Sequence, residues 1–493
     1  MIPFPCSAAL RRIAIFALVV LAATARAADP GPTPLRLAGF TRLSTSAEIS
    51  AWLALAAKAM PGAHVDRIGT SVQGRPIEAL VIEPAGGAAG EPFTVMMVGS
   101  QHGTESAGAE SLMVIARAIA IRGPPPPLAG ARLVLVVNAN PDGRELRRRA
   151  NANRVNLNTD YVALSQPESA AIIGALHAYM PDVALDIHES AILKRESLAR
   201  EGLLTDFEAQ FEYANNPNVA QPLRDLAAGK LLPAWIARVG AGGLPAQRYI
   251  GEIRSSRQPL TNGGLTLRNL RNRIGVEGVL SLLMETRLDP RDGSYPSYRN
   301  IRVRVGKQVA CIEAFLALVG EHRDPIRAAV RAARARVPTE PLLLRARYGP
   351  DPHHPRERVA LRRLGDGAAV PVDFDDHRYV IADRAIHLPA AYLVPGGDAA
   401  LAAWLARQGV VHGPAQPGRA IRATQFVRRA GVVIAQRARV APRAGDLWVG
   451  LDQPRARLAA LLLEPQSDSA AIALPAEDPA ALSQMLALYR VAR

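Results

Sequence analysis

The stretch GSQHGTESAG, Gly99 to Gly108, follows the apolar run FTVMMV and sets His102 and Glu105 three residues apart among small neighbours. An imidazole nitrogen and a carboxylate in one tight turn can face a single point. That pairing suits zinc, which takes three protein ligands and keeps an open position when it is catalytic. His188, at the end of VALDIHE, offers a third donor from a separate strand-like segment. Hydrolytic chemistry at such a centre also needs a base to take a proton from water and pass it to the leaving group. Glu285, after the apolar VLSLLM, has the right type and place. Each residue also has a plainer reading. His-x-x-Glu pairs are common where a strand meets a helix, and Glu285 reads equally as a surface acid beside neighbouring arginines.

The elements around these residues supply the reason to take them together. A helix is expected over 45–58 with Trp52 and Leu53 on its apolar stripe, then strands at PIEALVIEP and FTVMMVG. A small-residue helix over 107–121, a GPPPP loop and the strands RLVLVVNANP and VALDIHE follow. Helical segments are expected between 202 and 243, then the strand VEGVLSLLMETR and the helix IRVRVGKQVACIEAFLALVG. Apolar strands alternating with helices indicate a mostly parallel sheet covered on both faces. In that architecture ligands gather beyond the carboxyl ends of the strands. His102, Asn140, His188 and Glu285 all fall at such ends.

The fold class is therefore α/β: a three-layer α/β/α sandwich with a mixed, mostly parallel sheet, followed by a smaller α+β or β-rich region. The expected divisions are a leader at 1–27, a lead-in at 28–44, a catalytic domain at 45–322, a connector helix at 323–340 and an accessory region at 341–493. The accessory region shows short strands, one helix (AALAAWLARQG) and no catalytic pattern of its own. Its histidines, His353, His354, His377, His387 and His412, lack ligand spacing.

With 493 residues and 49% hydrophobic content the chain can bury a large core. Arg11 and Arg12, the run IAIFALVVLAA and Ala25-Arg26-Ala27 read as a cleavable export signal. The expected product is periplasmic or secreted, with no stable membrane span after the signal is removed. Beyond that leader only Cys311 remains, so no intramolecular disulfide is expected. The leader carries three of the formal +15 charges, and the rest of the chain stays strongly basic. Its arginines are scattered and not interleaved with aromatics, so nucleic acid is not expected as a partner. The oligomeric state is not legible.

Six features in order, GTSVQGRPIEALVI, QHGTE, NPDG, RANANRVNLN, LDIHE and LLMETR, resemble the zinc carboxypeptidase family of the carboxypeptidase A type, over about residues 45–320. The resemblance implies one Zn2+ held by His102, Glu105 and His188, with Glu285 as general base. It makes Arg149 the donor that polarises the scissile carbonyl, and Arg75 and Asn158 substrate-binding residues. Asn156 stands where the family usually has an aspartate that orients the first histidine. Thr159 stands where the family has an arginine gripping a free carboxylate, and Leu270 where relatives often carry an aromatic. The implied activity is zinc-dependent hydrolysis of a peptide or amide bond, expected at a peptide C-terminus. The alternatives are endo-acting or amidase-like action on cell-wall stem or modified peptides, and a non-catalytic peptide- or glycan-binding module.

Overall fold

The computed structural model describes residues 28–84, 90–192, 197–288, 300–335, 340–397, 399–430, 432–470 and 487–493. The expected leader, 1–27, lies outside the described residues. Helices α1 (Pro34–Leu37) and α2 (Ser46–Ala59) lead into strands β1 (Ala63–Thr70), β2 (Pro76–Ile82) and β3 (Phe93–Gly99). Helix α3 (Ala107–Arg122), β4 (Ala131–Val136), α4 (Pro141–Glu145), α5 (Pro167–Tyr179) and β5 (Val183–Ser190) follow. Then come β6 (Leu203–Thr205), β7 (Ala209–Tyr213), α6 (Gln221–Leu226), α7 (Leu232–Ala241), β8 (Ala246–Arg248) and α8 (Leu270–Gly275). Strand β9 (Leu280–Arg287) and helices α9 (Ile301–Glu321) and α10 (Arg323–Ala335) complete this part.

Eight of these strands form one sheet in the order β1-β2-β4-β3-β5-β9-β7-β8. The middle four, β4-β3-β5-β9, are parallel, and antiparallel pairs at β1-β2, β2-β4 and β9-β7 flank them. Alternate side chains of one strand reach opposite faces. Val95 and Met97 of β3 join the core formed with α2, α3, α7 and α9, while Met96 and Val98 join the core under α5 and α8. The sandwich is therefore three-layered with a mixed sheet, as expected. Helix α2 begins at the capping box of Thr45 and Glu48, which satisfies two of its end groups reciprocally.

Residues 203–213, expected to be helical, instead form the strands β6 and β7. β7 pairs antiparallel with β9, placing Gln210 opposite Glu285. Long-range pairing overrode local propensity there, as is common for short segments.

The remainder contains β10 (Leu342–Gly349), β11 (Arg356–Arg363), β12 (Ala369–Asp375), β13 (Tyr379–Ile386), β14 (Ala391–Val394) and α11 (Ala399–Arg407). It continues through β15 (Gly413–Pro414), β16 (Ile421–Arg429), β17 (Val432–Val440), β18 (Leu447–Gly450), α12 (Ala456–Leu463) and β19 (Tyr489–Val491). This region is packed into the first part. Leu458, Leu461, Leu462 and Leu463 of α12 and Trp404 of α11 belong to the same core as α2 and α9. Strand β11 pairs with β6, matching Leu361 to Thr205. Helix α10 also joins that core through Ile326 and Val330.

Candidate metal centre

Ser100 turns the chain out of β3 with φ at 58°, in the left-handed region that L-residues rarely adopt. Its hydroxyl accepts from the Ala109 N–H at 3.1 Å, tying the turn to the first residues of α3. The NPDG segment braces the same loop from below: Asn140 Nδ2 donates to the Gln101 carbonyl at 3.0 Å, and Gly143 N donates to Asn140 Oδ1 at 2.8 Å. Gly103 lies against Gly143 so closely that a Cβ on Gly103 would sit 2.0 Å from the Gly143 carbonyl carbon. Two motifs read separately in the sequence are thus one backbone-to-backbone contact.

His102, Glu105 and His188 come together there, all buried, with one ligand atom of each within 4.8 Å of the others. His102 Nδ1 is 2.8 Å from Glu105 Oε1, and His188 Nδ1 is 2.8 Å from Glu105 Oε2. The two Nδ1 atoms are 3.2 Å apart. The far nitrogen of each ring faces an acceptor. His102 Nε2 lies 2.8 Å from Asn156 Oδ1, and His188 Nε2 lies 2.8 Å from Asp186 Oδ1. Such acceptors hold the ring protons on Nε2, so both Nδ1 lone pairs point at the shared centre. Two Nδ1 atoms and a carboxylate around one buried point call for positive charge between them, from a metal ion or from bound protons. The donor set, two imidazole nitrogens and a carboxylate around one buried point, fits zinc.

Electrostatics agree with the geometry. Burial alone would raise the Glu105 carboxyl, but the His102 and His188 imidazoles hold it well below the usual carboxylate range. Burial would lower His188, yet the Asp186 and Glu105 carboxylates draw it well above its ordinary value. Asp186 is two residues before His188, and residues i and i+2 of a strand share a face. That period marks Asp186 as a partner in the sequence, although it was not among the expected site residues. Gln101 links Asp186 to Tyr161, its amide donating to Asp186 and its carbonyl accepting from the Tyr161 hydroxyl.

Glu285 sits directly opposite His188 in the β5–β9 register. The Ser190 hydroxyl donates to Glu285 Oε2 at 2.6 Å. Burial pushes its carboxyl up to about 7, with the Glu105 charge adding to the rise and His188 opposing it. A carboxyl poised there can exchange protons near neutrality. Arg149, half exposed, donates through Nη1 to Glu105 Oε1 and so lies at the edge of the same cluster.

The other expected residues divide. Asn156 and Asn158 are at the centre. Asn158 Nδ2 is 3.3 Å from His188 Nε2, and its Oδ1 accepts from the Leu270 N–H at 3.0 Å. Leu270 is buried as the first residue of α8. Thr159 turns its hydroxyl onto the Asn156 carbonyl at 2.8 Å. Arg75 is bonded to Gln73 Oε1 and Asp142 Oδ1, both at 2.6 Å, which fixes the loop after β1 to the NPDG segment. Sequence reasoning missed Tyr249 as well. Burial raises its phenol, the Glu285 carboxylate raises it further, and Arg271 and Arg149 oppose the shift. Only the path of the 249–263 loop brings it beside Glu285.

Residues 49–175 match the family model described as "Zinc carboxypeptidase". Carboxypeptidase 2 of Trichophyton rubrum is 26% identical over 197 residues, covering 39% of this chain and 36% of the relative. Carboxypeptidase SOL1 of Arabidopsis thaliana is 30% identical over 141 residues, covering 26% of this chain and 29% of the relative. The chain thus spans about a third of the length of the curated relatives it matches. A metallo-carboxypeptidase structure from Burkholderia cenocepacia aligns with TM-score 0.44 at 20% identity, covering 58% of this chain and 70% of that one. His102, Glu105 and Arg149 fall inside the matched residues, and His188 and Glu285 beyond them. Residues 49–175 are thus the part of the chain that is similar to the zinc carboxypeptidase family.

Proposed function

We propose that the protein is an exported zinc-dependent hydrolase that cleaves a peptide or amide bond next to a terminal residue. The observation that carries this reading is the convergence of two imidazole Nδ1 atoms and the Glu105 carboxylate, each ring fixed from behind by Asn156 or Asp186. His102, Glu105 and His188 would hold one Zn2+, which when bound supplies Lewis acidity and makes water a nucleophile near neutral pH. The family match and the names of the relatives support the same chemistry.

The chain's own groups divide the remaining work. Glu285, held by Ser190 across from His188, takes the proton of the attacking water and delivers it to the departing amine. Arg149 donates to the scissile carbonyl oxygen as negative charge develops on it, and its partial exposure leaves it free to swing from Glu105 to the substrate. Asn158, between His188 and α8, presents its amide to the substrate's terminal residue. Peptides of the cell wall and other modified peptides are the alternative substrates for an exported enzyme of this kind.

Product analysis by mass tests the reading. Purified protein is incubated with zinc or with chelator, against matched peptides with free or amidated C-termini and against wall stem peptides. Release of a terminal residue that stops with chelator and returns with zinc is expected. Turnover insensitive to chelator, or no turnover of any of these, would overturn it. Cleavage at internal bonds would replace the exopeptidase reading with the endo-acting one.

A further inference from the structure

Thr159 leaves the terminal-residue side of the cleft without the family's arginine, and its hydroxyl is committed to the Asn156 carbonyl. Another arginine lies on that side. Arg271 is 3% exposed, the second residue of α8, and its neighbour Leu270 is bonded to Asn158, which in turn contacts His188. Nη2 of Arg271 donates to Asn215 Oδ1 at 3.0 Å. Its Nε is buried with no hydrogen-bond partner, and no carboxylate pairs with it among the described residues. A guanidinium taken out of water with one neutral acceptor is costly, and removing an anionic partner from such a group normally destabilises a protein strongly.

The surroundings hold this charge in place. Asn215 Nδ2 donates to the Gly263 carbonyl at 3.0 Å and lies 2.6 Å from the Tyr348 hydroxyl. That hydroxyl donates to the same carbonyl at 2.9 Å. Tyr348 belongs to β10, so the C-terminal region builds part of this wall. Glu212, whose charge is felt by the same Tyr348, is already paired with Arg248 at 3.0 Å. Between Arg271 and Tyr249 stands Gly263, where a Cβ would lie 3.1 Å from Arg271 Nη2 and 3.5 Å from Tyr249 Cε1. Only a residue without a side chain fits between the phenol and the guanidinium at that distance.

We propose that Arg271 binds a carboxylate of the substrate's terminal residue, supplying from α8 the positive charge that Thr159 does not. This rests on the hydrolase reading above. Two sources share the chemistry: the main-chain terminal carboxylate, and the side chain of a terminal aspartate or glutamate. A planar guanidinium with donors to spare grips either in a two-pronged fashion.

The test uses three matched substrates: N-acetyl-Ala-Ala-Gln, its C-terminal amide, and N-acetyl-Ala-Ala-Glu. The zinc-loaded parent protein is expected to favour at least one carboxylate over its neutral counterpart. Free acid over amide identifies the main-chain carboxylate, and Glu over Gln the side chain. R271Q should reduce that preference about 10- to 100-fold, chiefly through KM. T159R added to R271Q should restore discrimination of the free C-terminus. Where R271Q does not unfold cooperatively, G263A perturbs the same guanidinium, because its methyl group crowds Nη2. Calorimetric binding of N-acetyl-Ala-Ala-Glu to zinc-loaded E285Q, with and without R271Q, reads the contact without turnover. Equal affinity of those two proteins, or no preference for either carboxylate in the parent, overturns the inference. Loss of hydrolysis in every arm overturns the hydrolase reading, and the calorimetry still decides the role of Arg271.

Discussion

Replacing Glu285 by glutamine should make the protein less active and more stable at once. Burial raises the Glu285 carboxyl from an ordinary 4.5 to about 7. For an acid raised on folding, the native state disfavours ionisation. The cost is absent below the unfolded value near 4.5, grows between 4.5 and 7, and is complete above 7. At about 1.4 kcal/mol per tenfold change in ionisation, the full cost is about 3 kcal/mol as an upper bound. Glutamine retains an oxygen to accept from Ser190 and carries no charge. Urea unfolding of metal-free E285Q should therefore exceed the parent by up to about 3 kcal/mol at pH 8 and match it at pH 4. Zinc loading narrows the difference, because a dication beside the carboxylate favours its charged form. Turnover should fall about 10²- to 10⁴-fold, the range for losing a positioned general base. Equal or lower stability of E285Q at pH 8, or turnover within tenfold of the parent, would refute the reasoning.

Three further outcomes follow from the same contacts. N156A removes the acceptor behind His102 Nε2 and should weaken zinc binding about 10- to 100-fold, read by competition with a chromophoric chelator; N156D should recover it. R149A should lower kcat about 10²- to 10³-fold, with little change in zinc affinity, as measured by steady-state kinetics beside the same chelator assay. Glu277 is buried, and although burial alone would raise it, Arg273, His177 and Arg455 hold its carboxyl down at about 2. A depressed acid stabilises the fold above its unfolded value of 4.5 and loses that contribution as pH falls toward 2. E277Q should accordingly lower the thermal midpoint at pH 7, and the gap from the parent should narrow below pH 4.5 and close only as pH approaches 2, followed by circular dichroism. Arg455 comes from the C-terminal region, so this ion cluster also fastens that region to the sheet.

How much was legible in the sequence follows from how local each signal is. The apolar runs before His102, His188 and Glu285 announced strand ends, and a parallel sheet gathers its ligands at those ends. That logic located the centre, and the register of β5 on β9, His188 opposite Glu285, is the tertiary form of it. Asp186 was equally local, two residues from His188 on the same strand face, and could have been found from that period. That Gly103 and Gly143 approach each other was not legible, because the two motifs lie far apart in the chain. Arg75 shows the limit of matching by residue type: the same arginine could serve a substrate or tie down a loop, and its bond to Asp142 is a contact only the fold supplies.

The sequence by itself determined the metal-type donors, the candidate base and the α/β order, because each depends on short-range patterning of apolar and polar residues. It also exposed the absence of an arginine at Thr159. Only the tertiary structure decided what stands on that side of the cleft. Arg271, Tyr249, Gly263 and Tyr348 come from a loop, a short helix and a strand separated by up to about a hundred residues, and no period or motif couples them. Their meeting depends on the C-terminal region packing into the same core as the sheet, with Tyr348 of β10 closing onto the Gly263 carbonyl.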